Sequence, residues 1–147
     1  MKKSKTKQTM KQIFINLPVK DVEASMLFYT KLGFELNTLF TFDDQKCMAW
    51  GDQIYLMLQS LEMFRKGNKK DLPDPKKNAI ATFTLPVESI DRVDQIIEIG
   101  LQAGGTEPAP MIDEGFMQIR NLEDPDGHHW GIIYLDLEKF RQKTGKW

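Results

Sequence analysis

The sequence is poor in side chains that bind metals or form covalent cross-links: its 147 residues hold one cysteine, Cys47, and two histidines, His128 and His129. A lone thiol excludes an internal disulfide framework and a cysteine-rich zinc site, and it fits a reducing compartment. Long hydrophobic runs are missing as well. The apolar stretches are short, as at Ile96-Ile97 and Ile132-Ile133, far below the roughly 20 residues that span a bilayer. Nor is there an excess of either charge: Lys plus Arg is 20 and Asp plus Glu is 21. The chain therefore lacks the overall cationic field that holds nucleic acid or an anionic membrane. There is no GxGxxG turn after a strand and no GxxxxGK[ST] loop, so phosphate cradles for nucleotides are unsupported. No GxSxG elbow occurs, and Cys47 lacks the sequence context of a nucleophile. Aromatic and basic residues do not interleave on one predicted strand, which removes base stacking along single strands. The expectation is a cytoplasmic protein with no nucleic-acid and no membrane partner.

What is present is ordinary globular material, 41% hydrophobic and 28% charged, in a length close to the roughly 150 residues of one domain. Lys2, Lys3, Lys5 and Lys7 contribute +4 to a net charge of −1, which leaves −5 for residues 11 to 147. No long apolar stretch of signal-peptide type follows them. Residues 1–11 are expected to be a basic disordered tail, with a basic tether as the other reading, and residues 136–147 a C-terminal tail.

The domain is one pattern written twice. LPVKDVEAS from Leu17 recurs as LPVESIDRV from Leu85, 68 residues on. Each copy follows a β-type run (Ile13 to Asn16; Ala79 to Thr84) and opens a helical pattern, with Val22, Met26, Tyr29 and Leu32 in the first copy and Ile90, Val93, Ile96, Ile97 and Leu101 in the second. Both helices end at glycine, Gly33 and Gly104-Gly105. Three strand-like runs follow each: Phe34 to Phe42, Cys47 to Trp50 and Ile54 to Gln59, then Thr106 to Ala109, Phe116 to Asn121 and His129 to Leu135. The predicted fold is α+β, two tandem βαβββ modules (12–60 and 79–135) in a single domain over 12–135, joined by a lysine- and proline-rich linker, 61–78, with room for one short helix.

Alternation assigns the faces. Ile13, Ile15, Leu17 and Val19 should lie under the first helix, and Phe14, Asn16 and Pro18 opposite; Ala81, Phe83, Leu85 and Val87 under the second, and Thr82, Thr84 and Pro86 opposite. The uncovered faces mix apolar with hydrogen-bonding residues, as a concave pocket wall does, or as a second core face with satisfied hydroxyls does.

LPVKDVEASMLFYTKLGFEL resembles the first-module signature of the vicinal oxygen chelate superfamily (glyoxalase I, bleomycin resistance proteins, extradiol dioxygenases, fosfomycin resistance proteins), and DPDGHHWGIIYL resembles its last turn and strand. The resemblance covers residues 12 to 135 and lies nearest to uncharacterised glyoxalase-like members. It implies a partly closed sheet around a cavity, often completed in a homodimer, and in the enzymes one divalent metal held by His, Glu or Gln. The corresponding positions here are Phe14, five residues before Val19; Met57; Thr82, five before Val87; and Gly131, four after Gly127. Phenylalanine and glycine offer no donor, and a thioether is a poor partner for a hard or borderline ion. No divalent metal or other cofactor is therefore expected.

The remaining candidates are weighed against plainer roles. His129 shares a predicted face with Gly131 and Ile133 and is the candidate general base or ligand hydrogen-bonder, unless it only lines a wall. Asn16 and Thr84 stand at matching points of the two copies and could bind a carbonyl or hydroxyl, or each other or water. Phe14, Trp50, Tyr55 and Met57 would line an apolar pocket for an organic ligand, or pack a core. Arg120 would hold a ligand anion from a cavity-facing strand, or pair with Glu123 or Asp124 at the rim. Segments 61–78 and 107–115 are candidate lids. Two functions are carried forward: a metal-independent protein that binds a small molecule as bleomycin-resistance-type proteins do, and a glyoxalase-like lyase or dioxygenase acting on a carbonyl compound through a noncanonical metal site or His129.

Overall fold

The computed structural model describes residues 11–147; the expected tail up to residue 10 lies outside them. The chain divides into two compact units between Lys70 and Asp71, inside the segment read as a linker.

In the first unit the order is β1 (Ile13–Val19), α1 (Val22–Leu32), β2 (Glu35–Leu36), a 3-10 turn (Thr38–Phe40), β3 (Gln45–Trp50), β4 (Ile54–Ser60) and α2 (Leu61–Lys66). The four strands form an open sheet ordered β1-β4-β3-β2, with β1 parallel to β4 and the other pairs antiparallel. The second unit repeats this: β5 (Thr82–Pro86), α3 (Ile90–Gln102), β6 (Ile112–Asp113), β7 (Met117–Glu123) and β8 (His129–Leu135), followed by α4 (Leu137–Thr144). Its sheet order is β5-β8-β7-β6, with β5 parallel to β8. The fold is α+β, with βαβββ written twice.

Local chemistry explains the helix bounds. Asp21 accepts from Ala24 N (3.1 Å) and Ser89 Oγ accepts from Arg92 N (3.0 Å), each meeting an amide that the first helical turn leaves unpaired. Gly33 closes α1 at φ 111°, a left-handed conformation that costs glycine little. Below α1 lie Leu17, Val19, Met48, Leu56 and Leu58, met by Phe28, Tyr29, Leu32 and Phe34, all buried. Val93, Ile96 and Ile97 of α3 are buried with Leu85, Leu122, Trp130 and Ile132. Each such side chain stabilises by about 1.5–3 kcal/mol relative to exposure.

Three expectations are corrected. The run from Phe34 to Phe42 pairs only at Glu35–Leu36, because Asn37 Oδ1 accepts from Leu39 N (3.0 Å) and starts a 3-10 turn. Thr41 Oγ1 closes that turn, donating to Asn37 O (2.8 Å) and accepting from Cys47 N (3.1 Å). Of Thr106 to Ala109 only Thr106 pairs, as a single bridge to Glu123. Pro108 and Pro110 lack the N–H a ladder needs, so the edge strand forms later, at Ile112–Asp113. The C-terminal segment is a helix rather than a tail: Asp136 caps it by accepting from Lys139 N (3.1 Å), Gly145 ends it at φ 69°, and Phe140 lies 5.3 Å from the Phe116 ring. Among the described residues no helix is long and apolar enough to cross a membrane.

Candidate functional site

In the first unit the face of the sheet away from α1 carries Phe14 and Asn16 on β1, Tyr55 and Met57 on β4, and Cys47 and Ala49 on β3, since paired residues share a face. The Phe14 ring stacks on Tyr55 at 4.7 Å and 11°, and Phe40 meets Phe14 edge-on at 6.1 Å. The Tyr55 hydroxyl donates to Asp52 O (3.1 Å) and accepts from Gln12 Nε2 (3.4 Å), which fixes the lower ring of the stack. Phe14 stays 43% exposed while Tyr55 and Met57 are buried beneath it. The result is an anchored aromatic platform open on one side. Cys47 is fully buried behind it, and burial pushes its thiol pKa up, so it is held as a small apolar side chain rather than a thiolate.

In the second unit the matching face carries Thr82 and Thr84 on β5, His129 and Gly131 on β8, and Asn121 and Glu123 on β7. His129 Nε2 lies 2.9 Å from Asn121 Oδ1. With the carboxamide oxygen as acceptor, the neutral ring donates from Nε2 and its Nδ1 is the acceptor nitrogen. Gly131 lets these groups approach the strand closely: a Cβ there would lie 3.0 Å from Ile119 Cδ1, 3.5 Å from Thr84 Oγ1 and 3.6 Å from Asn121 Oδ1. A hydroxyl and a carboxamide thus lie over the backbone of Gly131, beside the apolar end of Ile119.

The structure gathers Phe14, Tyr55 and Met57 in one unit and Thr82, Thr84 and His129 in the other, with Asn16 beside Met57 and Thr84 beside Gly131. Two expected residues lie elsewhere. Trp50 pairs with Ile54 and packs on Phe34 at 4.8 Å, which puts it on the helix-covered side of the first sheet, not on the face of Phe14. Arg120 is opposite Ile132 and faces α3. It is bidentate to Glu107 (Nε and Nη2, both 2.8 Å) and reaches Asp94 from Nη1 (2.9 Å), instead of pairing with Glu123 or Asp124. The hydrogen bond from Arg120 holds the Glu107 carboxyl below its ordinary range. Asn121 was the residue sequence reasoning missed. The signal existed: the turn at Asp124–Gly127 pairs Glu123 with His129, so Asn121 and not Arg120 shares the histidine's face.

The side chains at the four positions where the family resemblance implies metal ligands do not fit a divalent ion. Phe14 and Met57 have apolar side chains in the first unit; in the second, Thr82 is a lone hydroxyl and Gly131 has no side chain. Among the described residues no three His, Cys, Asp or Glu side chains are placed so that they could hold a metal ion. Zinc or iron sites require three or four nitrogen, sulfur or carboxylate donors. Of the two candidate lids, 61–66 is helical, and 107–115 crosses the outer edge of the second unit through Pro108 and Pro110.

Comparison with known proteins bears on the fold. A family described as bleomycin resistance protein-like N-terminal matches residues 11–51. A hypothetical protein from S. aureus has a similar structure, with a TM-score of 0.73 and 24% identity over 86% of this chain and 95% of that one. A glyoxalase-related enzyme from Fulvimarina pelagi gives 0.72 and 20%, over 85% and 88%. A bleomycin resistance determinant encoded on the transposon Tn5 gives 0.59 and 19%, over 86% and 99%. A search of curated proteins finds no match.

Proposed function

From a chain with the vicinal oxygen chelate fold of glyoxalases, bleomycin resistance proteins and dioxygenases, we propose that this protein binds a small organic molecule without a metal, through the uncovered faces of its sheets. The observation that carries the reading is the replacement of donors at all four metal positions by Phe14, Met57, Thr82 and Gly131. The uncovered faces suit an organic ligand: the Phe14–Tyr55 stack offers a flat apolar contact, and Thr84, Asn121 and His129 offer hydrogen-bonding groups on one face. Exposed Leu36, Leu39, Phe40 and Phe42 are apolar surface that a second copy would cover in a homodimer.

A second reading rests on the His129–Asn121 pair. A ring held through Nε2 presents Nδ1 as a base, and a base on an uncovered face beside the Thr84 hydroxyl would serve a glyoxalase-like proton transfer. The experiment that separates the two is a thermal-shift screen of small organic molecules, with and without EDTA, on protein analysed for its metal content. A ligand that binds only the native state raises the melting temperature. The binding reading expects hits unchanged by EDTA and weakened by Phe14→Ala. A stoichiometric divalent ion that is lost in His129→Ala overturns it.

A further inference from the structure

On the other side of the second sheet, a cleft of about 680 Å³ opens between the first turns of α3 and the 107–113 segment. Ile90, Pro108, Ala109, Pro110 and Met111 supply apolar walls; Asp94, Glu107, Asp113, Gln118 and Arg120 supply the polar groups. Its volume falls within the roughly 300–1,000 Å³ of sites for small ligands. We propose that this cleft is a second binding site, separate from the faces discussed above, and that it takes an organic cation with an apolar body, such as an alkyl diamine.

The charge balance gives the sign. Three carboxylates face one guanidinium, and Glu98, at 3.9 Å from Arg120, adds a fourth at the edge. Arg120 presents no net positive charge to an anion, because its single charge is already shared by Glu107, through Nε and Nη2, and Asp94, through Nη1. Asp113 is held by neutral donors, its Oδ1 accepting from Gln118 Nε2 (2.9 Å) and Gly115 N (2.8 Å), and the charge of Lys139 acts on it more weakly than either of these bonds. The net charge of the lining is two negative units. The N-terminal end of α3 opposes this by about half a positive charge, too little to reverse it. The apolar wall is preset, since Pro108 and Pro110 fix their own φ and so little ordering entropy is lost on binding. A lining of two net negative charges around an apolar wall matches an alkyl chain that carries an ammonium group at each end.

The test is calorimetric titration of the full chain with hexamethylenediamine, with the neutral hexamethylene glycol and the anionic adipate as controls. The proposal expects saturable binding of the diamine with one site per chain, weakened by salt, and none of either control. The double variant Asp94→Asn, Asp113→Asn should weaken it by roughly fivefold or more, from the loss of two partly exposed ion pairs. Because Asp94→Asn also touches the Arg120 clamp, Met111→Lys gives a second reading: it places a cation at an exposed position on the wall and should abolish binding. His129→Ala should leave binding unchanged. No saturable binding, equal binding of adipate, or binding that survives both sets of changes overturns the proposal, and none of these results bears on the organic ligand proposed for the uncovered faces.

Discussion

Gly100 is where α3 approaches its sheet most closely, and replacing it with alanine tests how that helix is seated. A Cβ at this position would collide with Leu122 Cδ2 and sit 2.9 Å from Cδ1 and 3.2 Å from Cγ. Leu122 is fully buried, so its methyl groups can turn aside only against packed neighbours. Alanine gains about 1 kcal/mol of helix propensity over glycine, and overpacking a filled core costs about 1–3 kcal/mol. Gly100→Ala should therefore destabilise the second unit by about 1 kcal/mol, although it improves the helix. Leu122→Ala alone should cost about 2–5 kcal/mol through the cavity it leaves. In that background the clash is gone, and Gly100→Ala should become stabilising. Urea unfolding of the four proteins, read as a double-mutant cycle, gives a coupling of about 1–3 kcal/mol if the contact is as described. A Gly100→Ala protein at least as stable as wild type would refute the argument, because only a free Cβ allows the propensity gain to be seen.

Gly127 has φ 106° and a Cβ there would lie 2.7 Å from Lys76 N and 2.8 Å from Pro75 C, both main chain; Gly127→Ala should lower stability by about 2–4 kcal/mol, measured by thermal unfolding. Cys47 should resist thiol reagents in the native protein at neutral pH and react on unfolding, because burial keeps it protonated; rapid stoichiometric labelling of native protein would contradict this. Glu107 has a folded pKa below its ordinary value of 4.5. It therefore contributes stability that is present above that value and is lost as pH falls through the depressed one. Glu107→Gln should be destabilised by about 1–3 kcal/mol at neutral pH, and chemical denaturation should show the difference shrinking as the wild-type carboxyl protonates.

The elements that sequence reasoning placed well are set by local rules. Asp21, Ser89 and Gly33 mark helix ends with their own side chains or their own φ, and Asp124 accepts from the amides of Asp126, Gly127 and His128, which fixes the turn before β8. The duplication at Leu17 and Leu85 then yields the topology. What was misplaced depends on pairing. Trp50 and Arg120 each stand one residue away from the uncovered face, and a single step along a strand moves a side chain through the sheet. Alternation around Phe116 gives Arg120 a parity but not an absolute face; the register with β8 supplies it. The Arg120 partners, Asp94 and Glu107, come from a helix and a loop that only the fold brings together. The edge strand at Ile112–Asp113 is too short for periodicity to reveal.

The ligand proposed for the uncovered faces is organic and needs no metal to bind. The most direct measurement is the dissociation constant of a screened ligand, taken by calorimetry on EDTA-treated protein and again with added zinc or manganese. The constant should be the same in each condition and weaker in Phe14→Ala. Binding that disappears in EDTA and returns with one equivalent of metal would contradict this.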